Sequence, residues 1–343
     1  MKQILIVAPA WVGDAIMAQP LYAELQRRHP GVAIDVLAPA WTRPVHARMP
    51  EIREAIDNPF GHGELALKKR WAIGRMLKAR GYDQAILLPN SLKSALVPAF
   101  AGIPVRTGWL GESRYGLLND WRKLDKDRYP KMVERFVALA VADGAPLPAG
   151  RHYPQLKIDP VARAATLARL GLDTASPIVA CCPGAEYGPA KRWPARHFAE
   201  FARHRMARGE QVWLFGSAKD AEIAGEIETL APGVINLASR TSLAEAIDLM
   251  SLAAVAVCND SGLMHVAAAL NVPLAAVYGS SSPGFTPPLT DHAEIVSLQL
   301  SCSPCFARTC PLEHMNCLNQ LDAARVDAAV ERLRPRPGQT DAC

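Results

Sequence analysis

No stretch of the 343-residue sequence reaches the ~18 uninterrupted apolar residues of a membrane-spanning helix. The apolar opening, Met1 to Ala10, gives way at once to Trp11–Gly13–Asp14. It is too short for a secretory leader and has strand composition, so a cytoplasmic protein is expected. The Gly-x-Gly-x-x-Gly fingerprint is missing after the first strand, which weakens a dinucleotide reading. No recognised nucleic-acid motif and no basic cluster interleaved with aromatics is found, so nucleic acid is not an expected partner. Eight cysteines are present, but without an export signal a disulfide framework is the weaker expectation. No internal repeat is visible.

What is present is an ordinary globular composition, 50% hydrophobic and 21% charged, and a length that suits two domains. Net charge is +5. From Trp41 to Arg135 there are 18 Lys+Arg against 10 Asp+Glu, a balance of +8, which leaves −3 for the rest. The excess is either a set of solvated helix faces or a surface for an acidic partner, such as a phosphorylated acceptor or an anionic membrane.

Strand-like and helix-like segments alternate, as in parallel βαβ units. In the first half the expected strands are 3–8, 33–38, 84–88 and a short one at 106–109. The expected helices are 15–28, 64–80 (basic and amphipathic), 92–101 and 131–143. Pro146, Pro148, Gly150, Pro154 and Pro160 mark a linker. The alternation then restarts, with strands at 178–182, 211–215, 254–258 and 274–278. Helices are expected at 161–170, 195–208, 219–230, 243–251, 262–269 and 322–333. This predicts two α/β domains, 1–155 and 156–343, with the closing helix a candidate to pack back on the first. Two doubly wound domains facing each other would hold a ligand between the carboxyl ends of their sheets.

Four strand-to-helix turns carry candidate chemistry. In Trp11–Val12–Gly13–Asp14, Gly13 lets a ligand approach the backbone and Asp14 is either a general base or an N-cap. In Pro183–Gly184–Ala185 with Lys191–Arg192–Trp193–Pro194, a glycine turn and a compact cation precede a helix, an arrangement suited to phosphate. The alternative is a plain loop with solvated cations. In Asp260–Ser261–Gly262, with His265 one turn later, free amides open a helix where phosphate would dock. A lone helical histidine is otherwise structural. In Gly216–Ser217–Ala218–Lys219–Asp220, Asp220 either accepts from ribose hydroxyls or serves the helix dipole.

Together these segments resemble the ADP-heptose:lipopolysaccharide heptosyltransferases, from residue 1 to about 335. Asn236–Leu243 and Cys302–Phe306 are most similar to the type II branch. The resemblance implies a GT-B fold of two facing Rossmann-like doubly wound domains with a cleft between them. It implies an inverting transfer of heptose from ADP-heptose to the first heptose of a Kdo-lipid A inner core, with no cofactor and no metal. Asp14 would be the base. Lys191 and the Ser261 and Gly262 amides would hold the diphosphate, and Asp220 the adenosine ribose. Asp260 and His265 would line the heptose and diphosphate end, and Gly13 and Gly184 would allow close approach. Ala185–Glu186–Tyr187–Gly188 stands where type I relatives carry paired threonines, so backbone contacts to phosphate are expected there. Competing readings are a type I enzyme, another nucleotide-sugar transferase or epimerase of this architecture, and a non-catalytic nucleotide- or lipid-binding protein. The acidic acceptor would suit the basic first half, and peripheral contact with the inner membrane would follow.

Cys181, Cys182 and Cys258 lie in apolar runs and read as buried small hydrophobes. Cys343 is terminal and carries no expectation. Cys302, Cys305, Cys310, His314 and Cys317 have ligand types and spacings that zinc uses. A disulfide and plain reduced thiols are the other readings, and reduced thiols are expected.

Overall fold

The computed structural model describes residues 1–61, 63–150 and 153–333. Cys343 lies outside them. The chain divides into two compact units at Leu156/Lys157. The first contains β1 (Gln3–Val7), β2 (Ala33–Ala38), β3 (Ile52–Asp57), β4 (Gln84–Leu87), β5 (Val105–Trp109) and β6 (Asp120–Arg122). They form one parallel sheet in the order β3-β2-β1-β4-β5-β6. The second contains β7 (Ile178–Cys182), β8 (Gln211–Leu214), β9 (Ile235–Asn236), β10 (Ala253–Asn259), β11 (Leu274–Val277) and β12 (Ala293–Val296). Their order, β12-β11-β10-β7-β8-β9, is the same doubly wound pattern. The α/β reading holds in both halves. In each sheet the direction of winding reverses beside the first strand, and the loops at that reversal form the natural ligand crevice.

The central strands are apolar on both faces because helices cover both sides. β2 and β7 are buried along their whole length. The strands that sequence reading misses, β3, β6, β9 and β12, are all outer strands. They are short or polar on one face, so they show no apolar run.

Helix boundaries differ where backbone chemistry intervenes. The helix expected over 15–28 is two, Val12–Met17 and Gln19–Arg28, with Pro20 in the first turn of the second. The helix expected over 64–80 spans Leu67–Lys78, because Ala66 takes a left-handed φ of 41° and stops extension toward Glu64. At 92–101 a 3₁₀ turn, Leu92–Ala95, precedes the helix Leu96–Phe100. At 131–143 the helix Met132–Val137 tightens into a 3₁₀ turn over Ala138–Ala140.

In the proline-rich segment, Gln19 clasps Gln155 from both ends: its Nε2 donates to the Gln155 carbonyl (2.9 Å), and its Oε1 accepts from the Gln155 N–H (2.9 Å). Asp159 then caps the helix Pro160–Leu170, accepting from the Val161 and Ala162 N–H groups. The closing helix, Ala323–Leu333, buries Val326, Ala329 and Val330 in the core of its own unit. It is fixed there by buried Arg205, which reaches Asp327 (2.8 Å) and Glu331 (2.6 Å).

Candidate functional site

Strand adjacency in the second sheet assembles the site. β7 lies between β8 and β10, and β11 flanks β10. The loops leaving these four strands therefore share one edge, and every site residue expected in this half sits on them. The β7 loop supplies Gly184 and Lys191, and the β8 loop Asp220. The turn after β10 supplies Asp260, Ser261, Gly262 and His265.

Lys191 Nζ donates to Asp260 Oδ2 at 2.6 Å. The same ammonium stands 5.1 Å above the Tyr187 ring, a cation–π contact. Thr286 Oγ1 reaches the other Asp260 oxygen at 3.4 Å. Asn259, fully buried at the end of β10, bridges two loop segments. Its Oδ1 accepts from the Trp193 N–H (3.0 Å) and its Nδ2 donates to the Pro183 carbonyl (2.7 Å). One side chain thus fixes both ends of the loop that carries Gly184 and Lys191.

Ser261 occupies the N-cap of the helix Gly262–Ala269 without using its side chain as a cap. The first amides of that helix have no partner within it. His265 is buried in the first turns, and its Nδ1 has no hydrogen-bond partner among the described residues. Burial pushes its pKa down to about 4, with Lys191 acting in the same direction and Asp260 against both. The ring is therefore a neutral imidazole at neutral pH.

Gly184 is required by contact. A Cβ there would lie 2.3 Å from Asp220 Oδ1. The Asp220 carboxylate covers this glycine while its Oδ2 accepts from the Ser217 N–H (2.9 Å) and hydroxyl (2.8 Å). This capping box is the structural side of the two readings of Asp220.

Several residues here were not singled out in the sequence. After β11, the Ser280 and Ser281 hydroxyls are buried with no hydrogen-bond partner among the described residues. The Ser280 N–H reaches the Ala190 carbonyl at 3.4 Å, so these hydroxyls lie beside the Lys191 loop. Buried orphan hydroxyls are rare in a finished core and common where a ligand completes the site. Their signal, three serines after a strand, looks like any polar turn.

The cysteine-bearing segment is a strap over this edge. The Phe306 N–H donates to the Ser280 carbonyl (2.7 Å), and Ser303 Oγ donates to the Gly279 carbonyl. On the other side, Tyr187 Oη donates to the Phe306 carbonyl (2.7 Å) and the Ala190 N–H to the Arg308 carbonyl (3.1 Å). A Cβ on Gly188 would meet that Arg308 carbonyl at 2.4 Å. Cys302, Cys305, Cys310 and Cys317 are unbridged. Cys317 has its pKa raised by burial first and by the other three thiols next. Among the described residues no group of three His, Cys, Asp or Glu side chains is placed to hold a metal ion. Cys181, Cys182 and Cys258 are fully buried, as small apolar side chains would be.

In the first unit, Gly13 is buried and Asp14 half-buried in the first turn of Val12–Met17. The N-cap position belongs to Trp11, so the capping reading of Asp14 fails. The turn is held by Trp41 Nε1, which donates to the Ala10 carbonyl (2.7 Å). Beside it, the loops after β4 and β5 are joined by Arg114, fully buried and, among the described residues, hydrogen-bonded to no carboxylate. Its guanidinium donates to the Pro89 carbonyl (2.8 Å), Ser94 Oγ (3.1 Å) and the Trp109 carbonyl (2.5 Å). Neither Trp41 nor Arg114 belongs to a motif, and nothing in the sequence marks either.

The family model for glycosyltransferase family 9 (heptosyltransferase) matches residues 70–316. The chain belongs to glycosyltransferase family 9. It is 51% identical to lipopolysaccharide heptosyltransferase 2 of Escherichia coli K12 over 306 residues, covering 86% of this chain and 88% of that one. It is 49% identical to lipooligosaccharide heptosyltransferase 2 of Haemophilus influenzae over 308 residues, with the same coverage. The solved structure of E. coli ADP-heptose lps heptosyltransferase II superposes with a TM-score of 0.87 at 46% identity, covering 97% of this chain and 98% of that one. The fold is therefore that of the GT-B heptosyltransferases, and this family member is a glycosyltransferase.

Proposed function

We propose that this enzyme transfers L-glycero-D-manno-heptose, with inversion, from ADP-heptose to the first heptose of a Kdo-lipid A inner core. The reading is supported by the identity to type II heptosyltransferases. The observation that carries it is the edge of the second sheet, where Lys191, the amides that open Gly262–Ala269 and the buried serine hydroxyls converge. A cation and oriented amides at a helix start are what a departing nucleoside diphosphate requires.

In the proposed step, Asp14 takes the proton from the acceptor hydroxyl. The acceptor oxygen forms a bond to the anomeric carbon as the bond from that carbon to the diphosphate oxygen breaks. The charge that develops on ADP is received by Lys191 and the Ser261 and Gly262 amides. Asp260 holds Lys191 in place, and the Tyr187 ring lies beneath its ammonium. His265, neutral at neutral pH and buried, offers its Nδ1, unpartnered among the described residues, to the bound donor. Asp220 packs over the Gly184 turn and offers a carboxylate oxygen to the ribose. The first unit, with the basic excess, receives the acidic acceptor, and the lipid end of that acceptor places the reaction at the cytoplasmic face of the inner membrane.

The test is transfer from ADP-heptose to lipopolysaccharide precursors carrying no heptose or one. Transfer to the one-heptose acceptor alone is the expected result. Transfer to the heptose-free precursor makes the enzyme a type I transferase, and epimerised product without transfer removes the reading altogether.

A further inference from the structure

We propose that the helix Leu67–Lys78 is the surface by which this enzyme docks on an anionic lipid bilayer. Its inner face is fully committed. Arg70, Gly74 and Leu77 are buried, and a Cβ on Gly74 would stand 2.6 Å from Phe100 Cβ. The Arg70 guanidinium lies 3.8 Å from the centre of the Phe60 ring and donates to the carbonyls of Leu65 (2.6 Å), Lys93 (3.0 Å) and Glu64 (3.0 Å). The helix is thus a rigid element with one face sealed.

The outer face is unlike a solvated one. Leu67, Trp71 and Met76 are 50%, 56% and 53% exposed, and Leu65, just before the helix, is 49% exposed. Helical spacing sets Leu67, Trp71 and Arg75 in one row and Lys68, Ala72 and Met76 in the next. Each row therefore combines apolar side chains with a cation. Lys69 and Lys78 flank them, both exposed. From 64 to 78 there are five cations and one acid. That acid, Glu64, accepts from the Gly61 N–H (3.0 Å) and lies 3.6 Å from Lys69. A helix whose outward face sets half-exposed Trp, Leu and Met among exposed Lys and Arg has the composition of one lying in a headgroup plane. The cations meet lipid phosphates, and the indole sits at the boundary between headgroup and acyl chain.

Choosing a bilayer over an acidic protein rests on the proposed reaction, whose acceptor is anchored in a membrane. The helix is also tied to the acceptor side of its own unit. Arg70 grips the Lys93 carbonyl in the loop after β4, and β4 pairs with β1, which leads into the Asp14 turn.

The test is flotation of the full-length enzyme with vesicles rich in phosphatidylglycerol, against phosphatidylcholine vesicles, with no acceptor present. Wild type is expected to float with the anionic vesicles only. Lys68→Gln/Arg75→Gln should lower partitioning about fivefold per cation removed, and Trp71→Ser/Met76→Ser should lower it at least as much. Both should keep the wild-type melting temperature, and Trp71→Ser/Met76→Ser, which removes no cation that the acidic acceptor could meet, should keep wild-type transfer to a soluble, deacylated acceptor. Failure of wild type to float, or variants that float as wild type does, overturns the docking surface. So does a wild-type dimer that Trp71→Ser dissociates, since the face would then join two copies. If wild type floats but does not transfer heptose to the soluble acceptor, the docking stands and the proposed function falls.

Discussion

The ammonium of Lys191 and the carboxylate of Asp260 form a 2.6 Å ion pair in which both side chains are largely withdrawn from water, 16% and 4% exposed. The cation assigned to the diphosphate is therefore held by an acid before any donor arrives. Removing one member leaves the other charged and buried, which costs several kcal/mol. Lys191→Met is expected to raise KM for the donor roughly 10- to 100-fold, the range of one charge-assisted hydrogen bond, and to lower the melting temperature. Lys191→Met/Asp260→Leu should recover the melting temperature and leave KM high. If the double variant recovers both, Lys191 only neutralises Asp260 and does not meet the donor.

Asp14 lies in the first turn of Val12–Met17, behind a turn pinned by Trp41. Asp14→Asn keeps the shape and removes the basicity. As general base it should account for roughly 10²- to 10⁴-fold in kcat, with donor KM and the melting temperature near wild type. Steady-state kinetics of the purified variant decide it, and kcat close to wild type would show that another group accepts the proton.

How much of this was legible in the sequence follows burial. The central strands announce themselves because residues such as Ile178–Cys182 are apolar on both faces. β9 has two residues and β3 is polar on one face, so periodicity could not mark them. Glycine-bearing turns were legible because Gly184 and Gly262 sit where strands hand over to helices. Asn259 was not, although it bonds to both sides of the Lys191 loop, because its role exists only once β7 and β10 are neighbours. Arg114 is a still harder case. A buried arginine serving backbone carbonyls cannot be told in sequence from one in solvent. Ala66 broke the expected helix through a left-handed φ, a conformation that alanine does not advertise.

Gly184 and Asp220 are coupled by contact, so a double-mutant cycle separates packing from substrate binding. Gly184→Ala places a methyl 2.3 Å from Asp220 Oδ1. The carboxylate must move, at a cost of about 1–3 kcal/mol. Asp220→Ala alone loses the Ser217 capping box, about 1 kcal/mol. The double variant should be more stable than the sum of the singles, because the methyl then has room. Urea midpoints measure this. Donor KM on the same four proteins shows whether Asp220 also meets the nucleotide: a rise in Asp220→Ala that its stability loss does not explain assigns it to the ribose.

Two histidines should make the enzyme acid-sensitive well above the carboxylate range. Burial pushes His46 down to about 3 and His265 to about 4. Neither His46 ring nitrogen has a hydrogen-bond partner among the described residues. In the unfolded chain both titrate near 6.5. As pH falls below that value the unfolded state takes up protons that the folded state refuses, so stability drops, and the drop continues to the folded pKa. By pH 5 each histidine should have removed about 2 kcal/mol. His46→Phe keeps a ring beside Tyr22, whose centroid lies 6.3 Å from that of His46, and removes the titration. Its urea midpoint should therefore fall less than wild type's between pH 7.5 and pH 5, by about half if His265 supplies the remainder. Equal losses in the two proteins would mean that His46 takes up its proton in the folded state at the same pH as in the unfolded chain, and its burial would then have to be relieved by solvent reaching the ring.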